Sequence, residues 1–499
     1  MDKQQNQNEI IDKVLSGARW AAMLRLIGQA VRWLSTIIVV RFISPEDYGL
    51  NAMVEAPLEL LMLLSTFGLD LALVRSKSIE QNELRSVFGW LLVINGLLFL
   101  AYFFGGSLIA AYFGEPRLEL LAKALAFVFL LVPFRVIPNA LLDRKLKFKL
   151  RALAEFIASV SAAIATLVLA IMGAGVWALV AGMLISRVLL AIILMILEPW
   201  IITPSLRFSA VRAMMAFGGI MSLGSAVLLI TDQLATLIAG PILGAEMLGI
   251  FAVTFQFALL PLTKVMPVIN SIIFPAFSKF QEQPDVAGHY LGKSLGIVAL
   301  GLFPIMIGLA CIAQEFVTTV FGDKWSAVAV PLALLSIAMP FRMTTSFLRP
   351  VLSSMGRIDL ALKSIIIALV ILLPLVLIGA NHGVIGLVAA IMITELIVAF
   401  STISMSKAVL DTSFTKIGTS LRPAIVSSAV MAGCLLGGKI AFESQVNLSR
   451  LFIDIGFGAL IYFLTLRIFY QKLLDDAIRL FLGRRNASAS FPLKKTIQK

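Results

Sequence analysis

Apolar runs long enough to cross a lipid bilayer follow one another along almost the whole chain. Bounded by charged residues or by Gly, Pro and Asn punctuation, they fall at about 18–42, 48–72, 84–111, 118–141, 152–172, 175–196, 212–238, 247–277, 294–319, 326–351, 360–379, 383–406, 423–438 and 451–468. No segment between them exceeds about twenty residues, which leaves no room for a soluble domain. The composition agrees: 60% of the 499 residues are hydrophobic and 14% charged, against roughly 45–50% and ~25% in soluble domains. A water-soluble globule is excluded. Strand-like alternation is absent, so in lipid the backbone must satisfy itself within helices. The expectation is an all-α polytopic membrane protein of about fourteen transmembrane helices.

Orientation follows from the basic residues outside the spans, which concentrate on the cytoplasmic side of membrane proteins. One side carries the richest loop, with Arg144, Lys145, Lys147, Lys149 and Arg151, together with the basic C-terminal tail. The other carries Arg41, Arg117, Lys324, Lys439 and Arg450. The first sixteen residues are polar and lack the basic, apolar and small-residue regions of a secretory signal. Both termini are therefore expected in the cytoplasm. The net charge of +13 reads as a topology signal, not as a surface for nucleic acid.

The chain also repeats itself. Glu46-Asp47-Tyr48-Gly49-Leu50 is echoed by Glu246-Met247-Leu248-Gly249-Ile250, and Phe113-Gly114-Glu115 by Phe321-Gly322-Asp323. Phe134-Arg135 answers Phe341-Arg342, and GVWALVAGMLI from Gly175 answers GVIGLVAAIMI from Gly383. A six-helix unit is even, so its copy re-enters the membrane in the same orientation, and the copies are related by an axis along the membrane normal. The expected organisation is a cytoplasmic tail at 1–17, a six-helix bundle at 18–200, a second at 201–410, two further helices at 411–470 and a basic cytoplasmic tail at 471–499. Two parallel bundles that rock about a central site are the usual geometry of alternating access.

Enzyme readings find little support. The only histidines, His289 and His382, are far apart in sequence and lack metal-ligand companions, Cys311 and Cys434 sit within apolar runs, and no GxxxxGK[ST] loop occurs. No cofactor is expected; any driving force is an H⁺ or Na⁺ gradient, the substrate gradient or a partner.

What the apolar runs do contain is charge. Arg25, Gln29, Arg32 and Thr36 share one face of the first span, and Asn51, Glu55 and Glu59 follow a similar spacing on the second, where Pro57 should bend the helix. Counted from the turn at Pro45, Arg32 and Glu59 reach similar depth, roughly 20 Å at 1.5 Å per residue, which makes their contact easy. Arg25 has no acid at equal depth and is the better candidate for an external anion. Lys264, between Pro261 and Pro267, has no local acid and is expected to line an aqueous cavity. Arg135 and Arg342 occupy equivalent repeat positions and complete the set of candidate substrate-binding cations. Arg32 aligns with Asp232 and Arg187 with Glu395 across the repeat, so opposite charges could meet there and latch one access state. The bland alternative is a polar contact within each bundle. Glu55, Glu59, Asp232 and Glu395 are also candidate carriers of a coupling H⁺ or Na⁺. Several cations facing one cavity suit an anionic substrate, with diphosphate the natural match for arginine forks and lysine.

The runs ARW, VVRFISPEDYGLNAM, FGLDLALVR, FGEPRLELLA, IPNALLDRKLKF, GAGVWALVAG, TDQLATLIAGPILGAEMLGIFAV, FPAFSKFQ, VFGDKWSAVAVPLALLS and SSMGRIDLALK resemble the polysaccharide transporter family of the multidrug/oligosaccharidyl-lipid/polysaccharide (MOP) flippase superfamily. The likeness is greatest to the O-antigen, exopolysaccharide and colanic-acid-exporter types and covers about residues 15–410. It implies a fourteen-helix, MATE/MOP-like flippase for an undecaprenyl-diphosphate-linked oligosaccharide, with membrane lipids and the polysaccharide polymerase and chain-length machinery as partners. It also implies a cationic cavity that takes basic residues of the first and eighth spans, here Arg25, Arg32 and Lys264. Two relatives in the same superfamily remain as alternatives, a cation-coupled multidrug exporter and a lipid II flippase.

Overall fold

The computed structural model of the chain describes residues 20, 23–24, 27–75, 80–200, 202–410, 412–441, 448–471 and 473–475. Among them all regular elements are helical. Helix α1 covers residues 27–42. It is followed by α2 (Pro45–Thr66), a short α3 (Leu69–Arg75), α4 (Gln81–Phe113), α5 (Arg117–Arg144), α6 (Phe148–Ile171) and α7 (Val176–Leu197). Then come α8 (Phe208–Ser278), α9 (Pro284–Cys311), the single turn α10 (Ala313–Phe316), α11 (Ala329–Ser354), α12 (Ile358–Ala380), α13 (Gly383–Lys407), α14 (Phe414–Ala441) and α15 (Leu448–Phe469).

Eleven helices among the described residues are long and apolar enough to cross a membrane. Helix α2 falls outside that group because Asn51, Glu55 and Glu59 dilute its apolar run, and only part of the first span is described. Helix α8 is two rods joined at Gly244, whose φ of 74° and ψ of 173° break the helix and require a residue without Cβ. With α1, α2 and the two limbs of α8 counted, the fourteen expected spans are accounted for.

Sequence explains where the rods start and stop. Ser44 caps α2, its Oγ accepting from Asp47 N at 3.1 Å, with Pro45 at the first helical position and Glu46 and Asp47 in the first turn. Helix α2 ends at Phe67 and Gly68, both left-handed at φ 46° and 69°, and α4 ends at Gly114 in the same way.

By contacts the chain forms two compact units, one of residues 1–253, 320–325 and 369–387, the other of 254–319, 326–368 and 388–499. In the first, α5 packs against α2, α4, α6 and α7, over a core of Leu69, Leu73, Val87, Leu91 and Ile137. The connector after α7 is fastened to this core. Trp200 meets Phe88 edge-on with ring centres 4.6 Å apart, Arg85 donates from Nη2 to Thr203 Oγ1 at 2.7 Å, and Ser205 N donates to Arg85 O at 2.9 Å. In the second unit, α9 packs against α11, α14 and α15. Tyr462 on α15 donates to Leu300 O at 2.9 Å, and Lys439 at the end of α14 donates to Cys311 O at 2.6 Å, where α9 ends. The last two helices are thus pinned to α9.

Candidate functional site

The first unit gathers its intramembrane charges around α2. Glu55 is half-buried and Glu59 exposed; Asn51 lies close enough to Glu55 to act on its carboxylate, and Gln233 on α8 donates from Nε2 to Glu59. Arg187 on α7 lies within electrostatic reach of both carboxylates, and Asp232, exposed on α8, lies within reach of Glu59. Arg187 and Arg135 line one narrow crevice with Met62, Val128, Leu131 and Val132. Arg135 is also in reach of Asp70, Arg151 and Glu155 toward the basic loop. Tyr102 on α4 braces this region by donating to Val54 O, one residue before Glu55. Gln233 and Tyr102 were not singled out by sequence; neither differs by spacing from the other polar and aromatic residues of its span.

Arg32 is exposed on α1, and its Nη2 donates to Gln29 Oε1 at 2.7 Å. Its expected contact with Glu59 is replaced: Glu59 takes Gln233, and Arg32 takes the glutamine one turn earlier on its own helix. Helix α1 is held against α6 by Ser35, which donates to Ala163 O at 3.0 Å. Arg25 lies outside the described residues.

The second unit pairs its charges internally. Arg342 on α11 donates from Nη1 to Glu395 Oε1 on α13 at 2.7 Å and lies over the Phe255 ring at 5.6 Å. Arg349, two turns on, donates to Ser364 Oγ at 3.1 Å, which in turn shares a 2.6 Å hydrogen bond with Thr402. Lys264 is half-buried on the second limb of α8. Of the two residues that the repeat matches, Glu395 is bound by Arg342 within the second unit, and Arg187 lies within electrostatic reach of Glu55 and Glu59 within the first. In a medium of low dielectric the nearest opposite charge dominates, and here that charge belongs to the same bundle. The crossed pairing of Arg32 with Asp232 is likewise replaced, since Arg32 is held by Gln29.

One end of the first unit carries a second polar cluster at the start of α2. Arg117 bonds Glu46, and bonds Glu115 at 3.1 Å; the two carboxylates push its guanidinium pKa up. Trp325, fully buried, donates from Nε1 to Val40 O at 2.8 Å and packs edge-on against Tyr48 at 5.4 Å. The indole therefore satisfies a carbonyl in the last turn of α1 that lacks a partner within the helix. Beside it, burial lowers the Lys324 pKa. Among the described residues no cluster of His, Cys, Asp and Glu could hold a metal ion.

Long apolar helices, proline-bent rods and charges paired inside the bundles define a multi-pass membrane protein of transporter type. Its fold is that of the MOP superfamily: it matches a lipid II flippase MurJ in an inward closed conformation with a TM-score of 0.75 at 16% identity, over 91% of this chain and 99% of that one. It also matches an inward-facing multidrug resistance MATE family transporter with a TM-score of 0.61 at 14% identity, over 76% and 94%. The family model described as "Polysaccharide biosynthesis protein" matches residues 38–330, and the chain belongs to that family. Its relatives include the lipopolysaccharide biosynthesis protein WzxC of Escherichia coli K12, 27% identical over 86% of this chain and 89% of that one. The succinoglycan biosynthesis transport protein ExoT of Rhizobium meliloti is 24% identical over 68% of each chain. These likenesses place the protein with transport proteins of polysaccharide biosynthesis, not with enzymes.

Proposed function

We propose that this protein is a flippase that carries an undecaprenyl-diphosphate-linked oligosaccharide from the cytoplasmic to the outer leaflet of the bacterial inner membrane by alternating access. Its N- and C-termini lie in the cytoplasm. The observation that carries this reading is Arg32, an exposed arginine in the middle of a membrane-spanning run, which a neutral glutamine holds and which makes no ion pair among the described residues. An intramembrane guanidinium held only by a neutral amide needs an anion to justify its cost, and its fork matches a phosphate. Arg25 and Lys264 supply further cations for the diphosphate, and the prenyl chain stays in lipid while the sugar head passes through the protein. Arg135 in the first unit and Arg342 in the second are the remaining candidate cations for the substrate. The coupling ion, H⁺ or Na⁺, is taken by Glu55, Glu59 and Asp232, because Glu395 is neutralised by Arg342.

The test is translocation of a fluorescent undecaprenyl-diphosphate oligosaccharide in proteoliposomes. Wild-type protein should move it, while Arg32→Ala and Lys264→Ala should stall yet elute as folded monodisperse protein. Export of organic cations down an ion gradient, with no movement of the diphosphate lipid, would replace this reading with that of a multidrug exporter.

A further inference from the structure

Helix α2 meets α8 through bare backbone at both of its ends. At its start, Gly49 lies against the second limb of α8: a Cβ on Gly49 would overlap the carbonyl oxygen of Ala245. A Cβ on Gly249 would lie 2.7 Å from the Pro45 carbonyl carbon and 2.8 Å from Gly49 N. These two glycines are the matching positions of the two repeats. Just past its finish, Phe67 and Gly68 lie against the first limb of α8. A Cβ on Gly218 would come within 2.5 Å of Phe67 O and 2.7 Å of the Gly68 Cα. The obstructing atoms at both contacts belong to main chain, so no rotamer change relieves them.

The two contacts lie at opposite faces of the membrane. Gly49 and Gly68 are nineteen residues apart, about 28 Å along a helix, which is close to the ~30 Å hydrocarbon thickness of a bilayer. Pro57 sits between them inside α2, removing one hydrogen bond from the ladder and allowing the ends to swing separately. Contacts made by glycine backbones bring helices close with few interlocked side chains, so they can part and re-form without repacking rotamers.

We propose that the Gly49–Gly249 and Gly68–Gly218 contacts are the two gates of the transport cycle, with α2 as their shared post, and that one opens while the other stays shut. Trp325, seated on Val40 and on Tyr48 next to Gly49, belongs to the first gate. This inference rests on the alternating-access reading, but it can be tested apart from the substrate.

Gly249→Ala and Gly218→Ala each put one methyl group into one gate. Both positions are helical, where alanine is intrinsically the better helix former, so a loss must come from the contact itself. Gly433→Ala is the control, because nothing lies within 4 Å of a Cβ there. In a background with Cys311 and Cys434 replaced by serine, spin labels at Glu46 and Met247 report the first gate, and labels at Leu64 and Arg212 the second. In lipid vesicles, Gly249→Ala should lengthen the 46–247 distance and shift the population at least about tenfold toward the state open on that face, with the 64–212 distance kept short. Gly218→Ala should do the reverse, and Gly433→Ala neither.

If both variants lengthen the same distance, or neither changes one, the gates are wrong. Should an alanine variant not fold, the labelled wild type still decides. Its two distance distributions in lipid vesicles must each hold a long population beside the short one, and a single short value at either pair overturns the proposal. Opposite shifts in a protein that moves no diphosphate lipid would keep the gates and remove the flippase reading.

Discussion

Arg342 and Glu395 form a 2.7 Å ion pair between α11 and α13, and Glu395 is only 9% exposed. Removing the arginine would strand a carboxylate in a medium that solvates it poorly. Arg342→Ala is therefore expected to cost ~3 kcal/mol, the low end for a broken buried pair, because the arginine side chain keeps 20% exposure. The thermal midpoint in detergent should fall, and Arg342→Ala with Glu395→Ala should recover most of the loss. Exchanging Arg187 with Glu395 should rescue neither single variant, since each faces a different partner.

Trp325 tests whether the turn before α2 depends on one hydrogen bond. Trp325→Phe keeps most of the buried ring but leaves Val40 O without its donor, a loss of roughly 1–3 kcal/mol. Trp325→Ala adds a cavity and should cost ~3–5 kcal/mol. Thermal unfolding should order wild type, phenylalanine and alanine in that sequence, and equal midpoints for the first two would show that the hydrogen bond is idle.

Lys439 holds Glu315 at 2.5 Å and the Cys311 carbonyl at 2.6 Å. Lys439→Met should weaken the attachment of α14 to α9 by roughly 3 kcal/mol, because Glu315 keeps its charge with its partner gone. The double variant Lys439→Met with Glu315→Gln removes that stranded charge and should sit between the single variant and wild type when thermal midpoints are compared.

Arg357 and Asp359, at the exposed start of α12, give a pH dependence of known sign. The two bond at 2.9 Å, and the guanidinium lowers the Asp359 pKa below its ordinary value. A depressed folded-state pKa stabilises above the unfolded-state value and is lost as pH falls through the folded one. Asp359→Asn should therefore lower stability slightly at neutral pH, leave it unchanged at low pH and so flatten the acid limb of a stability-against-pH curve. A full acid limb in that variant would assign the effect to other carboxylates.

The amino-acid sequence alone determined the succession of apolar spans, the recurring motifs and the likeness to the polysaccharide transporter family. Those features are local: an apolar run of sufficient length has nowhere to go but across a bilayer, and a duplicated motif can be read without knowing where its copies pack. Even the glycine pair was visible as Gly49 and Gly249 in matching motifs, though not that the two positions touch. Only the tertiary structure decided which charges meet. Arg187 and Glu395 match by repeat offset, and Arg32 and Glu59 by depth, yet the structure gives all four other partners. Spacing along a helix sets which face and depth a side chain reaches, whereas its partner depends on which helix packs opposite. The strength of attraction in low dielectric makes that neighbour decisive. For the same reason Trp325, an ordinary residue in a loop motif, is the side chain that secures the end of α1.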